Sequence, residues 1–340
     1  MTQAYITDTG TGSSDSEHSG PRVRRLYDRL RRSRGIWRRG WVLAGCAVLL
    51  TLLMLLHGRI PNSIGNLGSL NETFLPWLGL GVPILLVFGV LRRSATALTA
   101  LLLPALVWLN IFGGLLTDKS HSGGDFTVAT HNVNADNLDP QGTAEVLVES
   151  GADVVALQEL KASAVPSYEK ALSGTYKYHS VQGTVGLWSK YPMTDTRSVD
   201  IKLGWVRAMR STVTTPEGRV ALFVPHLPSV RVKLNAGFTA GQRDDSADAL
   251  GEAIAREPLD RIVLLGDLNG TMNDRSLNAI TSQMRSTQGA AGDGFGFSWP
   301  ASLPMARIDQ IMVKGVDPVS SWTLPETGSD HLPIAARVRI

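Results

Sequence analysis

The 340-residue chain has one cysteine, Cys46, inside an apolar run. A lone thiol forms no intramolecular disulfide, multi-cysteine zinc site or iron–sulfur cluster. Positive charge is also scarce over most of the length. Lys and Arg total 33 against 30 Asp and Glu, for a net +3 and a pI near 9.1. Residues 21–39 hold nine Arg, whereas residues 125–340 carry 20 basic and 24 acidic side chains. The basic character therefore belongs to an N-terminal arm. The larger part has no broad basic face for a polyanion, which argues against nucleic acid as a partner. No internal repeat recurs at a fixed period, so no solenoid is expected.

What is present first is apolar sequence. Trp41 to Leu56 is uncharged, and at 1.5 Å per residue its 16 positions span about 24 Å, slightly less than a ~30 Å hydrocarbon core. Two more apolar runs cover Leu75–Leu91 and Ala95–Leu116. The simplest reading is three transmembrane helices, at about 41–57, 75–91 and 95–116, forming an anchor over residues 41–117. No small-residue cleavage site follows Leu56, which argues against a removed signal peptide. Nine Arg precede the first span and Arg92 and Arg93 lie between the second and third, while the loop Gly58–Phe74 has only Arg59. The basic flanks belong on the cytoplasmic side, so the chain after Leu116 is expected outside the cell membrane. Residues 1–40 read as a disordered, Arg-rich cytoplasmic arm, and 118–124 (DKSHSGG) as a short flexible tether.

From Asp125 the pattern alternates. Phe126–Val133, Asp153–Leu160, Thr184–Ser189, Ala208–Thr214, Arg219–His226, Arg261–Leu265, Arg307–Lys314 and Leu332–Ile340 read as strands. Thr143–Ser150, Gln242–Arg256 and Asp274–Ile280 read as helices. Many strands with few helices between them imply an α/β domain over residues 125–340, with two sheets face to face and helices outside.

Polar residues gather where those strands end. Asn132 follows TVATH, Glu159 follows VVALQ, His226 follows ALFVP, and Asp267 and Asn269 follow IVLLG; Asp309 opens RIDQIMV, and Asp330 and His331 precede the last strand. Any one of these could simply cap a turn. Together they offer four carboxylates, two imidazoles and two amides. Carboxylate and amide oxygens without cysteine suit a hard cation such as Mg²⁺ or Mn²⁺. The two His are available for proton transfer or for offsetting negative charge. The combination fits metal-assisted hydrolysis of a phosphate ester or anhydride.

The series THNVN, LQEL, VPHLPS, GDLNG, RIDQI and SDHLP, in that order, resembles the endonuclease/exonuclease/phosphatase superfamily. The resemblance covers residues 125–340 and implies a four-layer α/β/β/α sandwich of the DNase I-like type with a divalent metal. It implies that Glu159 binds the metal with Asn132 and Asp330, and that Asp267 aligns the attacking water. Asn269 would hold a phosphoryl oxygen, His331, oriented by Asp309, would stabilise the phosphorus centre, and His226 would contact the phosphate. Arg210 resembles a phosphate-contacting Arg of some members. An Arg-rich arm, three spans and an exported domain resemble the actinobacterial glycopeptide-resistance membrane proteins of the VanJ type. That implies hydrolysis of a polyprenyl (undecaprenyl) pyrophosphate carrier, with a phosphorylated membrane lipid as partner. The alternatives are an extracytoplasmic phosphodiesterase of sphingomyelinase or nuclease type, and a non-catalytic binding or sensor protein.

Overall fold

The computed structural model describes residues 39–63, 65–229 and 238–340; the expected arm at 1–40 lies outside them except for Arg39 and Gly40. Helix α1 (Trp41–Leu55), α2 (Leu67–Thr73), α3 (Gly81–Leu91), α4 (Ala95–Ala100) and α5 (Leu102–Phe112) form an apolar bundle. On α1, Ala44, Ala47, Thr51 and Met54 are buried at helical spacing. Val42, Leu49, Leu52 and Leu55, on the rest of the helix, stay exposed. A helix apolar on every side suits an apolar surround.

The expectation of three transmembrane helices is not supported. Among the described residues only Ala95–Leu115, at 21 residues, is a helix long and apolar enough to cross a membrane. Leu75–Leu91 joins Leu67–Thr73 at a bend of 71°, and its first turn, Leu75–Leu80, is a 3₁₀ helix with Pro76 near its start. Proline and two glycines in LPWLGLG supply no continuous α-helical ladder there. Trp41–Leu55 is apolar but has only 15 residues.

Twelve strands follow, in two six-stranded sheets. They are β1 (Phe126–Asn132), β2 (Val154–Gln158), β3 (Tyr178–Gln182), β4 (Val185–Ser189), β5 (Met193–Ser198), β6 (Ala208–Thr215), β7 (Gly218–Pro225), β8 (Ile262–Asp267), β9 (Arg285–Ser286), β10 (Asp309–Lys314), β11 (Asp317–Thr323) and β12 (Ile334–Arg339). The orders are β11-β12-β1-β2-β4-β3 and β5-β6-β7-β8-β10-β9. In the first sheet β1 pairs antiparallel with β12 and parallel with β2, which pairs antiparallel with β4. In the second, β7 pairs antiparallel with β6 and parallel with β8, which pairs antiparallel with β10. The two sheets thus share a pairing scheme that no sequence repeat betrays.

Side-chain alternation builds the layers. Phe126, Val128, Val154, Leu187, Leu222, Leu265 and Ile311 meet between the sheets. Ala129, Val155 and Leu157 turn outward onto α6 (Pro140–Glu149) and α7 (Val165–Leu172), through Ala144, Leu147, Tyr168 and Leu172. Ala221, Phe223, Ile262 and Leu264 face Ala247, Leu250 and Ile254 of α8 (Phe238–Ala255). The result is the expected α/β/β/α sandwich. Truncating Leu265 or Ile311 in the inter-sheet core to Ala would cost about 2–5 kcal/mol. Asp274–Ile280 is a 3₁₀ turn, Arg275–Leu277, running into α9 (Asn278–Thr281); α10 (Thr287–Ala291) follows β9.

The segment expected as a free tether is pinned to the sandwich. Lys119 N donates to Gly292 O at 3.3 Å and His121 N to Val319 O at 2.8 Å. The bundle docks on the domain as well. Arg275 Nη1 donates to Gly58 O (2.8 Å) and Ile60 O (2.7 Å), Thr271 Oγ1 to Glu72 O (3.2 Å), and Trp77 Nε1 to Met305 O (2.7 Å).

Candidate active site

The parallel pairs β1/β2 and β7/β8 end side by side, and their C-terminal ends deliver Asn132, Glu159, His226 and Asp267 to one place. Asn132 Nδ2 donates to Asp267 Oδ2 at 3.0 Å across the two sheets. His226 Nε2 lies 3.5 Å from Glu159 Oε1 and 3.6 Å from Asp267 Oδ2. His331 Nε2 stands 4.0 Å from Asp267 Oδ2, and its Nδ1 is 2.8 Å from Asp309 Oδ2. Ser298 Oγ donates to the same Asp309 oxygen at 2.7 Å. Asn269 donates to Asp267 Oδ1 from its backbone at 2.8 Å, and its side chain donates to Leu227 O at 2.9 Å.

Two details of local sequence make this convergence possible. A Cβ at Gly266 would meet Pro225 O at 2.1 Å, so only glycine lets β7 and β8 close up beneath the site. Asn134, Glu159 and Asn269 have φ of 59°, 60° and 47°, in the left-handed region that costs a side chain about 1 kcal/mol or more. All three lie where the strands give way to the site. Such strain persists where surrounding contacts over-determine the backbone. Here Ala135 N donates to Glu159 Oε2 at 3.2 Å and Asn134 N to Asn132 Oδ1 at 3.1 Å.

The electrostatics divide the site into opposed pairs. Burial disfavours charge on His331, but Asp309 and Asp267 outweigh it and push His331 up to about 10. Asp309, although buried, is held below the usual carboxylate range by the charge and hydrogen bond of His331. Burial and the nearby Asp309 push Asp267 up to about 7. His226 is driven well below the ordinary histidine value by burial and by Arg207. It is therefore neutral and accepts a hydrogen bond from Arg207 Nη2 at Nε2, which leaves its proton on Nδ1, an atom without a partner. Buried His131, pushed down to about 3 by desolvation, is neutral too and contacts Thr327 Oγ1 at 2.9 Å.

A divalent cation fits this donor set. Ligand atoms of Asp267, Asp309 and His331 lie within 4.8 Å of one another. Asp309 engages His331 and Ser298 through Oδ2 alone, and Glu159, with its side chain 34% exposed, is the carboxylate of the cluster most open to solvent. Buried Asp309 Oδ1 has no partner. Oxygen donors from Glu159, Asn132 and Asp267 suit a hard ion.

Seven of the nine sequence-derived positions gather here: Asn132, Glu159, His226, Asp267, Asn269, Asp309 and His331. Asp330 does not join the carboxylates; it is exposed, its backbone oxygen accepts from Ala301 N, and its charge raises His331 only through space. Arg210 is a correction. It is 2% exposed and binds Glu257 through Nε (2.9 Å) and Nη2 (2.5 Å), and Asp195 through Nη1 (2.6 Å). Its partners hold it on the outer face of β6, away from the site. The arginine that reaches the cluster is Arg207, packed under the exposed Trp205 ring at 5.1 Å. Its position just before β6, at an odd offset from Arg210, was the available signal, since odd offsets face opposite sides of a strand.

The sequence profile of the Endonuclease/Exonuclease/phosphatase family matches residues 129–331. An endonuclease/exonuclease/phosphatase of Bacteroides vulgatus superposes with a TM-score of 0.54 at 17% identity, covering 64% of this chain and 100% of its own. D. rerio TDP2 complexed with single strand DNA product gives 0.54 at 18%, covering 63% and 99%. Staphylococcus aureus beta toxin gives 0.51 at 15%, covering 62% and 99%. At such identities the likeness is one of fold. No curated protein matches the chain. Because the family profile spans more than half of the sequence and its motif residues converge in the structure, the chain belongs to the Endonuclease/Exonuclease/phosphatase family, whose members are hydrolases.

Proposed function

We propose that the protein is a divalent-cation-dependent phosphoesterase at the outer face of a membrane, and that it hydrolyses a polyprenyl pyrophosphate carrier of cell-wall synthesis, which would support glycopeptide resistance. The observation carrying the lipid reading is where the site sits. Asn269 is two residues from Thr271, which hydrogen-bonds Glu72 of the apolar bundle, so the reaction centre and the bundle share one end of the sandwich. A membrane-borne phosphate then gains a high effective concentration at the site. Extended nucleic acid gains none, and residues 125–340 carry more acidic than basic side chains.

In this reading Glu159 and Asn132 hold Mg²⁺ or Mn²⁺, which when bound offsets the charge of the phosphoryl oxygens. Asp267 takes the proton of the attacking water, and Asn269 fixes the Asp267 carboxylate and a phosphoryl oxygen. His331, kept cationic by Asp309, faces the charge that develops at phosphorus. His226 and Arg207 address the remaining phosphate oxygens.

The test is hydrolysis by the purified full chain with Mg²⁺, comparing an isoprenyl pyrophosphate, sphingomyelin and single-stranded DNA. Preferential release of phosphate from the isoprenyl substrate is expected. Cleavage confined to DNA, the ligand of the D. rerio structure, would overturn the lipid reading, and cleavage of sphingomyelin alone would replace it with a phosphodiesterase. Access of an impermeant reagent to a C-terminal tag on intact cells checks the outward orientation.

A further inference from the structure

Two adjoining cavities lie in the seam between the apolar bundle and the sandwich. The first, about 290 Å³, has walls from Pro76 and Ile111 of the bundle side and from Gln288, Arg307 and Gln310 of the domain, with Lys119 at its edge. The second, about 500 Å³, runs between Trp77, Pro83, Trp108 and Leu109 and is closed by Phe295 and Phe297. Pro76, Phe295 and Phe297 line both, so the two adjoin along a shared wall. Neither is lined by Glu159, His226, Asp267 or His331. Volumes in this range hold small ligands.

The space is amphiphilic, and its polar end lacks an anion. Lys119 and Arg307 line that end and no carboxylate does. Arg307 is buried and donates only to uncharged groups, Gly296 O at 2.7 Å and Ser321 Oγ at 3.5 Å. Its Nε has no hydrogen-bond partner, nor do Gln288 Oε1 and Gln310 Oε1. Burial lowers the Arg307 guanidinium to about 10 against the opposing charge of Asp309, and among the described residues no carboxylate forms a direct ion pair with it, which leaves a buried charge only partly offset.

The sequence GDGFGF, unused by the catalytic reading, builds this site. At Gly296, with φ of 57°, a Cβ would meet Arg307 Nη1 at 2.5 Å and Gln288 Cδ at 2.6 Å; at Gly292 it would meet Gln288 Cδ at 2.4 Å. The intervening aromatic residues form the apolar wall. Ring centroids of Phe295 and Phe297 are 5.0 Å apart, Phe297 lies 5.8 Å from Trp77, and Phe295 lies 6.3 Å from Trp108.

We propose that this seam binds one anionic membrane lipid, its phosphate between Lys119 and Arg307 and one chain along the Trp77–Trp108 groove. Charge complementarity and the continuity of the groove with the bundle's apolar surface select this occupant. The lipid locks the bundle onto the domain beside the loop that carries Asn269 and Thr271. The inference rests on the bundle sitting in a bilayer, and not on which ester is cleaved.

The test is thermal unfolding of the full chain in detergent with added phosphatidylglycerol or phosphatidylcholine. A ligand of the native state raises the melting temperature, and a rise of about 5 °C is expected with phosphatidylglycerol only. Lys119→Glu, which reverses charge at the mouth, and Ala105→Trp, which fills the groove, each abolish that rise while keeping a cooperative transition without lipid. Equal shifts with both lipids, or a phosphatidylglycerol shift that persists in both variants, overturn the proposal. Native mass spectrometry of the unaltered chain decides the matter if the variants do not fold. Retention of phosphatidylglycerol over phosphatidylcholine supports the site, and equal retention overturns it. No readout depends on hydrolysis, so failure here is separate from failure of the lipid-pyrophosphate reading.

Discussion

Two arginines three positions apart, Arg210 on β6 and Arg207 just before it, lead to clusters of opposite design. Arg210 is closed on all sides, with two bonds to Glu257, two to Asp195 (its carboxylate and its backbone carbonyl) and one to Thr212. Its charge is neutralised and its donors are used. Arg207 reaches His226, yet its own Nε is unpartnered, as are His226 Nδ1 and Asp309 Oδ1 in the same cluster. Most buried polar groups in folded proteins are hydrogen-bonded. Unspent hydrogen-bonding capacity beside strained Glu159 and Asn269 is what the proposed substrate and cation would complete. On the proposed function, the Arg210 cluster serves stability and the Arg207 cluster binding and reaction.

Experiments that could break this contrast run from severe to slight. Chelation of divalent cations should abolish hydrolysis, with Mg²⁺ or Mn²⁺ restoring it; phosphate release before and after readdition checks this. Asp267→Asn should cut kcat by about 10³-fold or more while leaving the melting temperature equal or higher, because it removes a buried carboxylate that Asp309 crowds. A matching loss of stability would mean that Asp267 is structural. Arg210→Met should show the reverse, destabilising the fold by about 3–5 kcal/mol by stranding Glu257, while kcat per folded molecule in denaturant-free buffer stays constant. Adding Glu257→Leu should recover most of that stability.

Arg207→Gln should lower kcat/KM by about 10- to 100-fold with little change in unfolding temperature. A drop in stability like that of Arg210→Met would erase the contrast between the clusters. The smallest effect concerns Glu72 on α2, a carboxyl pushed up to about 8 by burial and Asp274. A folded-state pKa above the unfolded value means the native chain binds the extra proton, so this group makes stability fall as pH rises from about 4.5 to 8. Glu72→Gln should flatten that slope in melting temperature against pH.

Legibility in the sequence followed burial. Strands β1, β2, β4, β6, β7, β8, β10 and β12 were readable because most of their residues are buried. The unread strands β3, β5, β9 and β11 are the terminal strands of their sheets, and Met193–Ser198 (MTDTRS) and Tyr178–Gln182 (YHSVQ) carry many polar residues because an edge packs against little. Helix α7 escaped because eight residues give few turns of periodicity. The site was legible for a related reason: a polar residue that ends an apolar strand stands out against it. Arg210 and Asp330 carried the same local signal as true members of the cluster, and nothing local separates them.

Composition and periodicity by themselves determined the apolar bundle, the two-sheet sandwich and most of the strand-end residues, since burial imposes patterns that any short window displays. Only the tertiary structure decided which arginine reaches the strand-end cluster, that the expected tether is fastened down, and that bundle and sandwich enclose an amphiphilic seam. Those outcomes depend on the face a side chain takes and on partners distant in the chain: Arg210 pairs with a residue 47 positions away, and Trp77 with one 228 away. No stretch of sequence records such a meeting until the chain has folded.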